Sequence, residues 1–327
     1  MMKKGLQKPP KLLKLGAVKR RLPLNYPFRS EIENEYAKIH AGYRGEKALD
    51  YYLGYIDKRN LIFHDLRIPD SEGRYFQMDT LIISLRFLII IEAKNIKGTL
   101  FFDQSFNQLI RTLDGKEEHL GDPILQVKRQ RLQLASWLKK HKFPSLPIIK
   151  MVSISNPSAI IKTEPHHNEV YETVFHTESL PFKVEKIESK HQKEYLSNKD
   201  MNRMSRLLLK QHTPLNTSIL KQFNIPKHDI LTGVHCPKCF KLPMKRMRGY
   251  WLCQGCGHKS QHAHIHTLGD YYLLIDNTIT NQQFRHFTNL SSISIATKLL
   301  VGLNLEYSGN LKTRKYYLSS SFLEFDS

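Results

Sequence analysis

Hydrophobic and polar residues alternate with changing period along this chain, and each change marks a new element. From Glu31 to Ile56 the pattern is helical, interrupted by Gly42 and Gly45, with Ala48, Leu49, Tyr52, Leu53 and Ile56 on one apolar stripe. Residues 61–68 (Leu-Ile-Phe-His-Asp-Leu-Arg-Ile) then predict a strand that runs into a turn at Pro69 to Gly73. From Met78 to Gly98 two runs of Ile, Leu and Phe break near Leu85 and Arg86; they are too short for two helices and rich in β-formers, which predicts an antiparallel hairpin. Lys97-Gly98-Thr99 turns the chain into a short strand at Leu100 to Phe102. Asp122-Pro123 is an N-cap with proline at the first helical position, opening a helix to about Lys140. On that helix Gln126, Gln130 and Gln133 form a polar stripe, and Val127, Leu134 and Leu138 a buried one. Ile148 to Ser155 is another buried strand, so the order is that of a mixed α/β sandwich.

The flanking segments follow other patterns. Residues 1–34 form a flexible basic arm in this reading: the first 30 carry nine Lys or Arg, no acid, and prolines at 9, 10, 23 and 27. The α/β domain takes 35–182, and 183–230, of mixed charge with helical patches such as Met201 to Leu209, is a helical linker. After a cysteine-rich module at 231–262, residues 263–327 predict helices at His264 to Leu274, Thr280 to Phe287 and Ser292 to Leu303, then a ribbon around Ser308 to Leu318. Short helices followed by a Gly309-Asn310 turn resemble a winged helix, whose third helix would enter a major groove. From Ala263 onward five basic residues balance five acidic ones, so a helical protein-interaction module fits nearly as well.

Three charges interrupt the apolar hairpin: Asp79, Glu92 and Lys94. With the turn centred on Leu85 and Arg86, paired residues sum to 171 and Asp79 falls opposite Glu92; Leu85-Arg86 is not a favoured two-residue turn, and an odd slip of register would send the two acids to opposite faces. Lys94, two residues on, shares the face of Glu92. Leu88 to Ile91 is unbroken apolar sequence, as in a strand covered on both faces, where charge is costly without a task. Adjacent carboxylates repel unless a cation sits between them, and hard oxygen ligands suit Mg2+ or Mn2+. The alternative is an exposed strand with an ordinary polar face. Glu46, three residues before Leu49, turns toward the core side; it is either a helix-dipole carboxylate or one that points into a site.

A net charge of +20 at 327 residues favours an anionic partner, nucleic acid first and an acidic membrane surface second. No apolar run approaches the roughly 20 residues that span a bilayer, and the basic N-terminus lacks the apolar core of a secretion signal, so a soluble cytoplasmic protein is expected. All four cysteines fall in one 21-residue window as two C-x-x-C pairs, the pattern of a metal site in a reducing compartment.

Gly45-Glu46, Gln77-Met78-Asp79 leading into a strand, Ile91-Glu92-Ala93-Lys94-Asn95 with Gly98, and Pro123 to Gln126 together resemble the nuclease-related domain, a branch of the PD-(D/E)XK endonuclease superfamily, over roughly residues 38–155. The resemblance implies a restriction-endonuclease-like sheet flanked by helices. It implies that Asp79 and Glu92 bind the divalent metal, that Lys94 assists the attacking water, and that Glu46 and Gln126 complete the site. No proline precedes Asp79.

Cys236, Cys239, Cys253 and Cys256, as C-x2-C-x13-C-x2-C, supply four thiolates to a tetrahedral Zn2+. From Cys236 to His262 there are six Lys or Arg and no acid, and the module resembles the zinc ribbons appended to bacterial topoisomerases. Lys245, Arg246, Arg248 and Trp251 here, with Lys312, Arg314 and Lys315 in the wing, are the candidate nucleic-acid contacts, cation and aromatic together suiting single-stranded or irregular nucleic acid. The expected activity is a Mg2+-dependent deoxyribonuclease in DNA processing or repair, with DNA as partner. The alternative is a nucleic-acid-binding protein on a nuclease-like scaffold.

Overall fold

The computed structural model of the protein describes residues 1–166, 168–310 and 313–326. In chain order it runs β1 (Met2–Lys4), α1 (Pro10–Arg21), α2 (Arg29–Leu53), β2 (Leu61–Pro69), β3 (Tyr75–Ile83), β4 (Leu88–Lys94), β5 (Thr99–Asp103), β6 (Gln108–Leu113), β7 (Lys116–Gly121), α3 (Pro123–Lys140), β8 (Ile148–Ile154), β9 (Ile160–Thr163), α4 (Asn168–Thr173) and β10 (Val174–His176). There follow α5 (Leu180–Lys190), α6 (Asn198–Gln211), α7 (Ile219–Gln222), β11 (Lys245–Arg246), β12 (Trp251–Leu252), β13 (Lys259–Ser260), α8 (Ala263–Leu274), β14 (Thr278–Thr280), α9 (Asn281–Thr288), α10 (Ile293–Val301), β15 (Tyr307–Ser308) and β16 (Lys315–Tyr317). The chain divides into two compact units, Met1–Lys8 with Lys38–Leu215, and Pro9–Ala37 with Asn216 onward.

The first unit is mixed α/β. Its main sheet has the order β1-β2-β3-β4-β8-β10, antiparallel through β2, β3 and β4 and parallel at β1–β2, β4–β8 and β8–β10. The central hairpin has the register expected from its apolar pattern, with Thr80 opposite Ile91 and Ile83 opposite Leu88, and Ser84 N bonded to Phe87 O (3.0 Å) across the turn. Leu88 to Ile91 are fully buried because both faces of β4 are covered. On one side α3 contributes Ile124, Val127, Leu134 and Trp137; on the other α2 and α5 contribute Leu49, Leu53, Leu180 and Val184. The first turn of α3 is fixed by Pro123 and by the Asp122 carboxylate, which accepts from Ile124 N at 2.8 Å.

A second sheet of order β7-β6-β5-β9 contains a hairpin not expected from the pattern, β6–β7. Its turn is Asp114-Gly115, both at positive φ (51° and 74°), the geometry favoured for two-residue hairpins. Gly98, at φ 97°, lies against the Thr112 carbonyl, where any side chain would collide.

Two expectations are corrected. Residues 183–230 are not a linker up to Leu215, since α5 places Leu180 and Val184, and α6 places Met201, Met204 and Leu208, in the cores of the first unit. The basic N-terminal segment is not an unstructured arm either. β1 pairs with β2, and α1 buries Leu12, Leu15, Ala17 and Val18 against α7 and α8. Leu12, Leu15 and Val18 stand three apart, an apolar stripe hidden in the sequence by the intervening lysines.

In the second unit Arg21 is fully buried. Its guanidinium donates to Asp270 Oδ2 (2.8 Å), Leu231 O (2.8 Å) and Gly233 O (3.2 Å), and Arg20 donates to Asp270 Oδ1 (2.7 Å). β11, β12 and β13 form a small antiparallel sheet, with Cys236 and Cys239 before β11 and Cys253 and Cys256 between β12 and β13. Then α8, β14, α9, α10, β15 and β16, with the antiparallel order β14-β16-β15, follow the element order of a winged helix. Thr280 and Gln283 form a capping box on α9, and Ser292 caps α10. Among the described residues no helix is long and apolar enough to cross a membrane. Because removing one partner strands the other charge in a dry core, Asp270→Ala should lower the unfolding free energy, read from urea denaturation, by about 3–5 kcal/mol.

Candidate functional site

Glu92 ends the buried run of β4 and is 3% exposed. It is not an isolated charge. Lys94 Nζ donates to its Oε1 (2.7 Å) and to Gln126 Oε1 (3.1 Å), so the period of the strand does bring Glu92 and Lys94 to one face with α3 above them. The second oxygen, Oε2, accepts from Gln130 Nε2 (3.0 Å), which also donates to Gln77 O (2.9 Å). Gln130 was visible only as part of a polar stripe. Its position one turn after Gln126 puts the two amides over the Glu92–Lys94 pair, Gln130 on Glu92 and Gln126 on Lys94.

The β3–β4 ladder ends at Thr80 opposite Ile91, and Asp79, the next residue of β3, accepts from Ala93 N through its Oδ2 at 3.0 Å. Its carboxyl is held well above the ordinary carboxylate range by burial, and further by the charges of Glu92 and Glu46, with the Ala93 amide and Lys94 opposing. Glu46 reaches the same corner from α2. Its helix can approach because residue 45 is glycine: a Cβ there would lie 2.8 Å from both Asn95 Cβ and Ser155 Oγ. Asn95 Nδ2 donates to Ala41 O (2.9 Å) and secures this contact. Burial, then the charges of Asp65 and Glu92, push the Glu46 carboxyl up to about 7, against Lys94 and Lys4. Glu46 therefore sits among the acids, as a residue pointing into a site does.

All five residues expected here, Glu46, Asp79, Glu92, Lys94 and Gln126, thus interact in one corner of the first unit. Hard carboxylate oxygens grouped at one corner are the donor chemistry of a divalent cation, and Asp79 and Glu92 are the pair that would hold one. The carboxylates do not converge further than this. Among the described residues the four cysteines are the only three or more Cys, His, Asp or Glu whose ligand atoms all lie within 4.8 Å of one another. Glu92 is spanned by Lys94 and Gln130, and Asp79 is turned onto the Ala93 amide.

In the ribbon the sulfurs of Cys236 and Cys256 are 3.6 Å apart and those of Cys239 and Cys253 are 3.5 Å apart. Thiolates around one tetrahedral ion at ~2.3 Å would stand about 3.8 Å apart, so the group fits zinc. Burial pushes the Cys253 thiol up, but the Cys256 and Gly255 amides outweigh it and bring it down to about 6.

The candidate nucleic-acid contacts separate. Lys245, Arg248 and Lys315 are exposed. Arg314 lies 4.0 Å from the Tyr307 ring centroid, and Arg246 lies 5.2 Å from that of Trp251. Lys312 lies outside the described residues. Trp251 is corrected: at 1% exposure, with its Nε1 donating to His264 Nδ1 (3.3 Å), it belongs to the core and has no face for a base. α10, expected to enter a major groove, exposes Ile293 and Val301 and carries Lys298 as its one charge, a poor surface for phosphates.

Compared with known proteins, residues 41–155, about a third of the chain, match the family model described as Nuclease-related domain. No curated protein and no solved structure matches the chain. The segment resembles that family over the part that holds Glu46, Asp79, Glu92, Lys94 and Gln126. Because so small a sheet has little core of its own, chelating zinc from the purified protein should release one ion per chain and unfold β11–β13, seen as loss of amide protection there with the first unit's protection unchanged.

Proposed function

We propose that the first unit is a metal-dependent deoxyribonuclease that hydrolyses phosphodiester bonds, acting in DNA processing or repair. The observation that carries this reading is the buried Glu92, tied to Lys94 and set beside Asp79 and Glu46, inside the segment that matches a nuclease-related domain. The chain's net charge of +20 supports a polyanionic substrate.

Each residue has a task that follows from its surroundings. Asp79 and Glu92 would hold Mg2+ or Mn2+, whose chemistry when bound is Lewis-acid polarisation of a phosphate oxygen and acidification of a water. Gln130 and Gln126 fix Glu92 and Lys94 from α3, so neither has to be ordered during the reaction. Lys94, a short-range donor already among oxygens, orients the attacking water and screens the negative charge that develops on the phosphate. Glu46, titrating near neutrality, accepts a proton from that water once ionised.

Purified protein should cleave plasmid or single-stranded DNA only with Mg2+ or Mn2+, and Asp79→Ala, Glu92→Gln and Lys94→Ala should each lower the rate by about 100-fold or more. Equal cleavage by wild type and Asp79→Ala would remove the proposal. The alternative, a binder whose ribbon and winged helix do the work, predicts salt-sensitive DNA binding that survives loss of Glu92 and disappears when residues 231–327 are deleted. The burial of Trp251 and the apolar face of α10 weaken it.

Glu46 gives a second test through pH. A carboxyl raised in the folded state contributes stability that is present below the unfolded pKa near 4.5 and is lost as pH rises through about 7. Glu46→Gln should therefore match wild type at pH 4, exceed its stability by about 1–3 kcal/mol at pH 8, and lose the rise in cleavage rate through pH 7.

A further inference from the structure

We infer that Lys4 is a positioning residue of the Asp79–Glu92 corner, holding from the edge strand β1 a left-handed break in β2 that lies directly across from Asp79. The role of the corner rests on the nuclease reading above; the clamp rests on geometry alone.

Side chains of a regular strand alternate between faces, so residues three apart cannot share one. Yet on β2 Phe63 and Leu66 belong to the same core, and on β3 so do Met78 and Leu81. Both strands change phase at one rung. His64 pairs with Thr80 and Leu66 with Met78, which leaves Asp65 facing Asp79. Asp65 has φ 48°, a left-handed conformation that a residue with a side chain keeps inside a strand only when its surroundings fix it.

Those surroundings are supplied largely by one side chain. Lys4 Nζ donates to His64 O (2.7 Å) and Asp65 O (3.0 Å), two consecutive carbonyls at the break, and lies 3.8 Å from Asp65 Oδ2. Gln77 Nε2 secures the other carboxylate oxygen at 2.6 Å. Lys4 reaches this point because β1 pairs in parallel with β2, Met2 beside Ile62 and Lys4 beside Phe63. Without the ammonium the rung can relax to regular alternation, and a change of phase by one residue turns Asp79 toward the opposite face.

The test is Mn2+ binding to the full chain, followed by electron paramagnetic resonance of the free ion and counted as the site that Asp79→Ala removes. Lys4→Met should weaken that site by about tenfold or more, and Lys4→Arg should recover part of the loss. Asp65→Gly, which adopts the left-handed conformation freely, should keep the site, whereas Asp65→Val, which loses the same carboxylate but disfavours that conformation, should fail as Lys4→Met does. Thermal melts identify a variant that does not fold, and the two Asp65 variants then decide the matter. Wild-type affinity in Lys4→Met overturns the inference, as does an equal loss in Asp65→Gly and Asp65→Val. Mn2+ binding that Asp79→Ala leaves intact overturns the nuclease reading and this inference together. Mn2+ binding that depends on Lys4 in a protein that cleaves no nucleic acid overturns the nuclease reading alone.

Discussion

Carboxylates crowded at the end of an apolar strand are the constraint on which the first unit depends. The charges of their neighbours, Glu92 among them, add to burial in raising the proton affinity of Asp79 and of Glu46, and the Lys94 ammonium, bonded to Glu92, offsets only part of that. Such a corner is costly in any fold. It is held because β4 is gripped on both faces, because Gly45 lets α2 close on Asn95 and Ser155, and because two glutamines one turn apart on α3 order the polar groups. A corner kept rigid and short of positive charge is prepared for a cation and for the anionic substrate that a cation recruits.

Much of this was legible in the order of residues, for identifiable reasons. The hairpin register followed from two short apolar runs and a break, because a turn centred on the break pairs Ile83 with Leu88 and Thr80 with Ile91. Asp122-Pro123 fixed the start of α3 through local chemistry alone. Gln130 was not singled out, since one amide in a polar stripe looks like any other until the carboxylate below it is placed. The phase change at Asp65 left no trace in the pattern, because it is set by Lys4, far away in sequence.

The N-terminal segment shows where composition misleads. Its charge and prolines suggested a solvated tail, yet β1 completes the main sheet, and α1 supplies Arg21 to a buried ion pair with Asp270. Nine cations there conceal one apolar stripe and one buried guanidinium. Trp251 misleads in the opposite sense, for an aromatic beside basic residues suggests a stacking surface and instead fills the core beneath the ribbon, against His264.

The most direct measurement of the central claim is anomalous diffraction from crystals of the full chain soaked in Mn2+. The account predicts a peak beside the carboxylates of Asp79 and Glu92. Peaks confined to other parts of the chain would contradict it.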